Sequence, residues 1–360
     1  MSPDVADLQR RARALLPRQV YDYYAGGSGR ERTRRANQKA WRHVWLAPRV
    51  LRDVSAVDTG VRLLGTEFAT PLGVAPTGFH GLAHPDGEVA TAAGAARAGA
   101  LFVLSTRSTR RIEDVAGAVA GQGGAWWFQV YLMRDRELTA ELVRRAAAAG
   151  ASALVLTADT PVVGRKRRDS DDGVVSDEEF LVNLGPLEDL GASSQAADLT
   201  FTDIGWLREA GGGLPVVVKG VLRGDDAAAC QAHGAAAVIV SNHGGRQLDG
   251  ALPSALALPE VALALDAAPA GPAGRCEVYA DGGIRTGEDA LVALALGARA
   301  VFLGRPALWA LACGGADGVQ ALLAGLTDDL GHVMALAGAA SVAETGQIAR
   351  IGAAAGGPPR

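Results

Sequence analysis

Short apolar runs punctuate the chain, each ending in polar residues and followed by an alanine-rich stretch of helical character. They are Leu72 to Ala75, Leu101 to Leu104, Trp126 to Val130, Ala153 to Leu156, Pro215 to Val218, Ala236 to Val240, Glu277 to Ala280 and Ala300 to Leu303. Most are continuously apolar rather than alternating, as expected of parallel strands covered on both faces. They recur roughly every 25 residues, with one gap of about 60 between the fourth and fifth runs. The pattern predicts an α/β protein of the (β/α)8 or TIM-barrel class, a single domain over residues 1–360, with one long excursion after strand four.

The intervening segments carry helix signals. Asp135 opens a periodic run (Leu138, Leu142, Val143, Ala146) closed by Gly150, and Thr286 with Asp289 reads as a capping box before a helix ended by Gly297. Residues 1–60, rich in Arg and carrying Tyr21, Tyr23, Tyr24, Trp41 and Trp45, are expected to form helices that close the barrel. Residues 165–200 are polar, acidic at Asp169 to Asp172 and without clear period. They read as a long active-site loop, because loops of that length are usually functional or disordered. The Gly/Pro-rich tail from Ala353 to Arg360 reads as frayed.

Composition narrows the choice of partners. At 360 residues and 49% hydrophobic content the chain can bury a large core, and a formal net charge of −4 offers no basic surface for nucleic acid. The basic clusters Arg10 to Arg13 and Arg165 to Arg168 are short. Cys230, Cys276 and Cys313 lack metal-ligand spacing, which predicts buried free thiols in a reducing compartment and no metal site. Neither a signal peptide nor an uninterrupted apolar segment of membrane-spanning length is apparent, so a cytoplasmic protein is expected.

The candidate chemistry lies where the apolar runs end. In a barrel of this class that is the mouth, where active sites are built. The polar residues there are Thr77, Ser105, Gln129 with Tyr131, Thr157 with Asp159, Lys219, Asn242 with His243, Asp281 with Arg285, and Gly304 with Arg305. Ser241-Asn242-His243-Gly244-Gly245-Arg246-Gln247 follows the sixth run. With only glycines between them, His243 and Arg246 can converge on one small molecule, the imidazole taking a proton and the guanidinium gripping a carboxylate. Asp281-Gly282-Gly283-Ile284-Arg285 and Gly304-Arg305-Pro306 combine backbone N–H groups and two guanidiniums, the makings of a phosphate site.

The heptapeptide resembles the active-site signature of the FMN-dependent 2-hydroxy acid oxidases and dehydrogenases, and the likeness extends over roughly residues 8–345. It includes Tyr21-Asp22-Tyr23-Tyr24-Ala25, Ala83-His84-Pro85-Asp86-Gly87-Glu88 and Met334-Ala335-Leu336. The resemblance implies FMN as cofactor and oxidation of an L-2-hydroxy acid to the 2-keto acid, with oxygen or another carrier as electron acceptor. It implies His243 as base, Asp159 as the carboxylate paired with it and Tyr131 facing the substrate hydroxyl. Arg246 and Tyr23 would bind the substrate carboxylate. Thr77, Gly78, Ser105, Gln129, Thr157, Lys219 and Ser241 would contact the flavin ring and its surroundings, and Asp281, Gly283, Arg285, Gly304 and Arg305 the phosphate end. It also implies a homo-oligomer, commonly a tetramer.

Three positions depart from that pattern. Lys166 stands where the family usually has a second carboxylate-binding arginine, a role open also to Arg165, Arg167 or Arg168. Arg107 replaces a pocket tryptophan of the glycolate oxidase-like members, and either enters the pocket or points away as a surface residue. Gly78 replaces an alanine common in the oxidases, which leaves the electron acceptor open. Two other readings compete: an FMN barrel isomerase of the type 2 isopentenyl diphosphate isomerase kind, and a flavin-binding barrel without turnover.

Overall fold

The computed structural model describes residues 4–166, 168, 182–184 and 194–351. Its centre is a closed barrel of eight parallel strands in sequence order, β1 (Leu72–Val74), β2 (Phe102–Leu104), β3 (Trp126–Val130), β4 (Leu154–Thr157), β5 (Val216–Val221), β6 (Ala237–Val240), β7 (Glu277–Asp281) and β8 (Ala300–Leu303). Pairing of Val301 to Leu72 and Leu303 to Val74 joins the last strand to the first. All eight apolar runs are therefore strands, with ends displaced by one or a few residues. Each crossover on the described residues carries a helix, and the expected caps are present. Asp135 accepts from the N–H groups of Glu137 and Leu138, and Thr286 Oγ1 accepts from Asp289 N at 3.1 Å. Asp289 Oδ2 reaches one residue further back than a capping box requires, to Arg285 N at 2.8 Å.

Alternate residues of each strand enter two separate cores, as a period of two demands. Val103, Trp127, Val155, Val217, Ile239, Tyr279 and Phe302 fill the barrel interior. Phe102, Phe128, Leu156, Val218, Val240 and Leu303 face the helices. This double coverage is why the runs are apolar throughout.

The first 60 residues carry the expected helices, which lie beside the mouth, while a following hairpin covers the other end of the barrel. The interior core is sealed from the N-terminal side by a hairpin of Val61–Leu63 and Thr66–Phe68, whose Val61, Leu63 and Phe68 join Trp127 and Phe302. The Leu64 N–H of that hairpin reaches Glu277 at the start of β7. Helices Val5–Leu15, Arg18–Ala25 and Arg32–Trp41 lie at the opposite end, beside the mouth. There Trp41 Nε1 donates to Gly282 O, and Asn37 exchanges amide hydrogen bonds with Asn242. Tyr21 and Tyr24 pack on Trp309 of the final helix.

That final helix, Arg305–Ala337, holds an 18-residue window apolar enough to cross a membrane, where no such segment was expected. Half of the window is buried, the backbone leaves helical geometry at Gly314 and Gly315, and the helix packs on Gly87–Arg97 and Val5–Leu15. It serves as a core helix. The cysteines are free, as expected, but only Cys230 is fully buried. Trp127, 1% exposed and set against Tyr279 and Phe302, tests the interior core. Trp127→Ala is expected to cost about 3–5 kcal/mol, read as a lower midpoint of denaturant unfolding at unchanged slope.

Candidate active site

Backbone geometry at the end of β6 sets the position of the catalytic candidates. His243, Gly244 and Gly245 take φ of 58°, 60° and 75°, so the chain coils tightly in the left-handed region. Asn242 stabilises the coil by accepting from Gly245 N at 3.1 Å. Glycine is needed at 245, since a Cβ there would meet Arg34 N at 2.5 Å. Ser28 completes the contact, its N–H donating to Gly245 O and its hydroxyl to Arg246 O. Gln247 reaches back to the segment after β4, donating to Asp159 O and Val162 O and accepting from Gly164 N.

This coil aims His243 Nδ1 at Asp159 Oδ1, 3.0 Å away. The pairing leaves Nε2 as the ring nitrogen Asp159 does not engage. Asp159 comes close because Gly220 in the bulge of β5 has no side chain; a Cβ there would lie 2.6 Å from Asp159 Cβ. Burial alone would raise the Asp159 carboxyl, but His243 and, more weakly, Lys219 outweigh it and hold it below its usual range. Lys219, 3% exposed, forms an ion pair with Asp281 at 3.2 Å and donates to Ser241 Oγ at 2.9 Å. Burial opposes its charge, yet Asp281 and Asp159 prevail and hold the ammonium above its ordinary value. A lysine at this depth therefore stays a fixed cation.

On the other wall, Gln129 accepts from Ser105 Oγ and Thr106 N and donates to Thr157 Oγ1. Gln129 and Thr157 are thus joined to Ser105, which lines the cavity, and Ser241 to Lys219, so these residues form one hydrogen-bonded network at the strand ends. Thr77 lines the cavity beside Gly78 and is held by the buried His80 at 2.6 Å.

The far end of the cavity gathers guanidiniums. Arg305 donates to the carbonyls of Tyr24, Gly26 and Gly244, and Arg285 to that of Ile284. Burial pushes Arg285 down to about 10, and burial with Arg246, Arg285 and Arg34 pushes Arg305 well below its ordinary value. Glu31, the carboxylate that acts on Arg305, is itself engaged by Arg34 and Arg168. Cations so destabilised call for an anion between them. Gly283 offers backbone there, at φ 98°, where a Cβ would strike Asn37 O at 2.5 Å, and the Arg305–Ala337 helix begins there. These features fit the phosphate of a mononucleotide, with Lys219 and Ser105 along the cavity for its ring. The cavity, about 1160 Å³ with its open entrance, leaves room for a small acid beside it.

The same cavity is lined by Tyr23, Arg107, Tyr131, Lys166, His243 and Arg246. Arg246 is braced by the carbonyls of Tyr23 and Gly26 and lies over the Tyr23 ring, 5.0 Å from its centre. Lys166, bridged through its backbone to Ser28, places Nζ 5.3 Å from that ring. Arg168 is engaged by Glu31 and Asp22 at the rim, Arg165 does not line the cavity, and Arg167 and Asp169 to Asp172 lie outside the described residues. Lys166 is thus the alternative found in the pocket. Arg107 also faces the cavity rather than pointing away.

Sequence reasoning missed Arg34, Asn37 and Trp41. Their spacing of three and four puts them on one helical face, a signal present in the sequence.

The profile of the FMN-dependent dehydrogenase family matches residues 12–350. The chain is 42% identical to an L-lactate oxidase of Nostoc sp., covering 92% of this chain and 93% of the relative, and 42% identical to a 4-hydroxymandelate oxidase of Amycolatopsis orientalis, covering 94% and 95%. A crystal structure of mandelate oxidase superposes with a TM-score of 0.89 at 40% identity, over 97% of this chain and 98% of that one. The chain belongs to the FMN-dependent dehydrogenase family, and its cofactor is FMN.

Proposed function

We propose that His243 is the base and Arg246 the carboxylate anchor in the FMN-dependent oxidation of an L-2-hydroxy acid to its 2-keto acid. The observation that carries this assignment is the His243–Asp159 contact at 3.0 Å in the cavity that also holds Arg246 and the arginine-rich phosphate end. Conversion of CH–OH to C=O releases two protons and two electrons. Bound FMN would supply the acceptor for both electrons and one of the protons. His243 Nε2 takes one proton, and Asp159 stabilises the imidazolium that results. Arg246, fixed by two backbone carbonyls, offers its remaining donors to the substrate carboxylate, with Lys166 as a second point charge lacking the planar fork of arginine. Tyr131, in the same cavity, would face the substrate hydroxyl; burial raises its phenol pKa, which favours the protonated form as a hydrogen-bond donor. Lys219 holds a positive charge where negative charge collects in the reduced complex. A diphosphate isomerase is disfavoured, since the relatives at 42% identity are named as oxidases. We further infer a cytoplasmic homotetramer, supported by the free cysteines and by the family likeness respectively.

In anaerobic mixing with 2-hydroxy acids, the holoenzyme's flavin absorbance is expected to bleach, and admission of air then shows whether oxygen is the acceptor. His243→Ala should keep FMN but slow bleaching by about 10²- to 10⁴-fold; near-normal bleaching removes His243 as base. Arg246→Lys is expected to lower kcat/KM by about 10- to 100-fold, chiefly through KM, while a change confined to kcat would contradict a ground-state anchor. Because the folded Asp159 carboxyl lies below its usual value, the stability it contributes is complete above the unfolded pKa near 4 and is lost as pH falls through the folded value. Asp159→Asn should therefore flatten the acid limb of the stability profile, measured by thermal melting across pH. An unchanged limb would show that the pair makes no such contribution.

A further inference from the structure

The cavity holds more positive charge than one carboxylate needs, and that charge is divided between two places. Arg246 and Lys166 both close on the Tyr23 ring, at 5.0 and 5.3 Å from its centre. Arg107 stands at the other tyrosine, its Cζ 5.5 Å from the centre of the Tyr131 ring. The Arg107 backbone is anchored on both sides, its N–H donating to Ser105 Oγ at 3.1 Å and its carbonyl accepting from Phe79 N at 3.0 Å. The guanidinium makes a cation–π contact with Tyr131, and among the described residues it forms no ion pair. Tyr131 also feels its charge, which works against the effect of burial on the phenol.

The packing below Arg107 is matched to it. A Cβ at Gly78 would lie 3.2 Å from both Arg107 Cβ and Arg107 O, tighter than ordinary contact. Two of the three positions that depart from the family pattern therefore touch one another. Phe79 also lines this part of the cavity but is 2% exposed and edge-on to Tyr23, so the guanidinium is the polar group that marks it.

We propose that Arg107 binds a second anionic group of the substrate, so that the preferred donors are L-2-hydroxy acids carrying another carboxylate at the end of the side chain. The inference rests on the assignment of Arg246 and Lys166 to the first carboxylate. The distal carboxylate passes through the reaction unchanged, and the redox step is the one already described. A donor with an aliphatic side chain leaves Arg107 without its anion and places methyl carbons against a guanidinium, which selects against it.

The test compares anaerobic flavin reduction of the purified holoenzyme by L-malate and L-2-hydroxyglutarate with reduction by L-2-hydroxybutyrate, L-2-hydroxyvalerate and L-mandelate. The dicarboxylates are expected to lead in kcat/KM by about 10- to 100-fold, the range for a hydrogen-bonded charge. Arg107→Met should bring that ratio close to one, and Arg107→Lys should restore part of it; FMN absorbance reports whether each variant is folded. If either variant fails to fold, the wild-type ratio decides. Bleaching by the monocarboxylates at equal or better efficiency, or a ratio untouched in Arg107→Met, overturns the inference and leaves the oxidase reading intact. No bleaching by any of the five acids overturns this inference, and only a further failure with L-lactate and glycolate would overturn the oxidase reading as well.

Discussion

Closure of eight parallel strands into one ring is the constraint on which the site depends. Once β8 pairs with β1, every strand points the same way and all eight C-terminal ends meet at one mouth. Residues as distant in the chain as Ser105, Lys219, His243 and Arg305 thereby share a cavity. The hairpin under the barrel and the helices around it protect that closure by keeping both faces of each strand dry.

The mouth is assembled against electrostatic cost. Burial depresses Arg285 and Arg305, and Arg246, Arg285 and Arg34 depress Arg305 further. Lys219 is the counter-example, kept charged by Asp281 and Asp159. One set of cations is neutralised by the protein; the other is suited to an anionic cofactor. FMN binding should thus couple to stability, since a ligand that binds only the folded state stabilises it by mass action. Arg107 adds a further cation to the same cavity, against the Tyr131 ring.

The N-terminal segment acts as a structural partner of the catalytic coil. Ser28 bonds to Gly245 and Arg246, Asn37 to Asn242, and Trp41 to Gly282, so the left-handed turn holding His243 is pinned from outside the barrel. Gly245 and Gly283 permit this approach because any side chain would collide with helix backbone. A strained loop persists where its surroundings over-determine it, and this one is held from the N-terminal helices, from Gln247 and from Asp159.

The eight apolar runs, their spacing and the polar residue after each were legible because parallel strands buried on both faces leave an uninterrupted apolar signature, and the barrel follows from counting them. His243, Asp159, Arg246 and the glycine-arginine pairs were legible for the same reason, as each sits at a strand end. The place of the N-terminal helices was not, since amphipathic periodicity says which face is buried but not against what. Nor could the hydrogen-bond network at the wall be read: Gln129 and Ser105 come from neighbouring strand ends, and only packing pairs them. Sequence alone determined the fold and the set of reactive groups, because both are written in local order. Which cation faces which tyrosine, and hence where charge is divided in the cavity, was decided by tertiary contacts between segments tens to hundreds of residues apart.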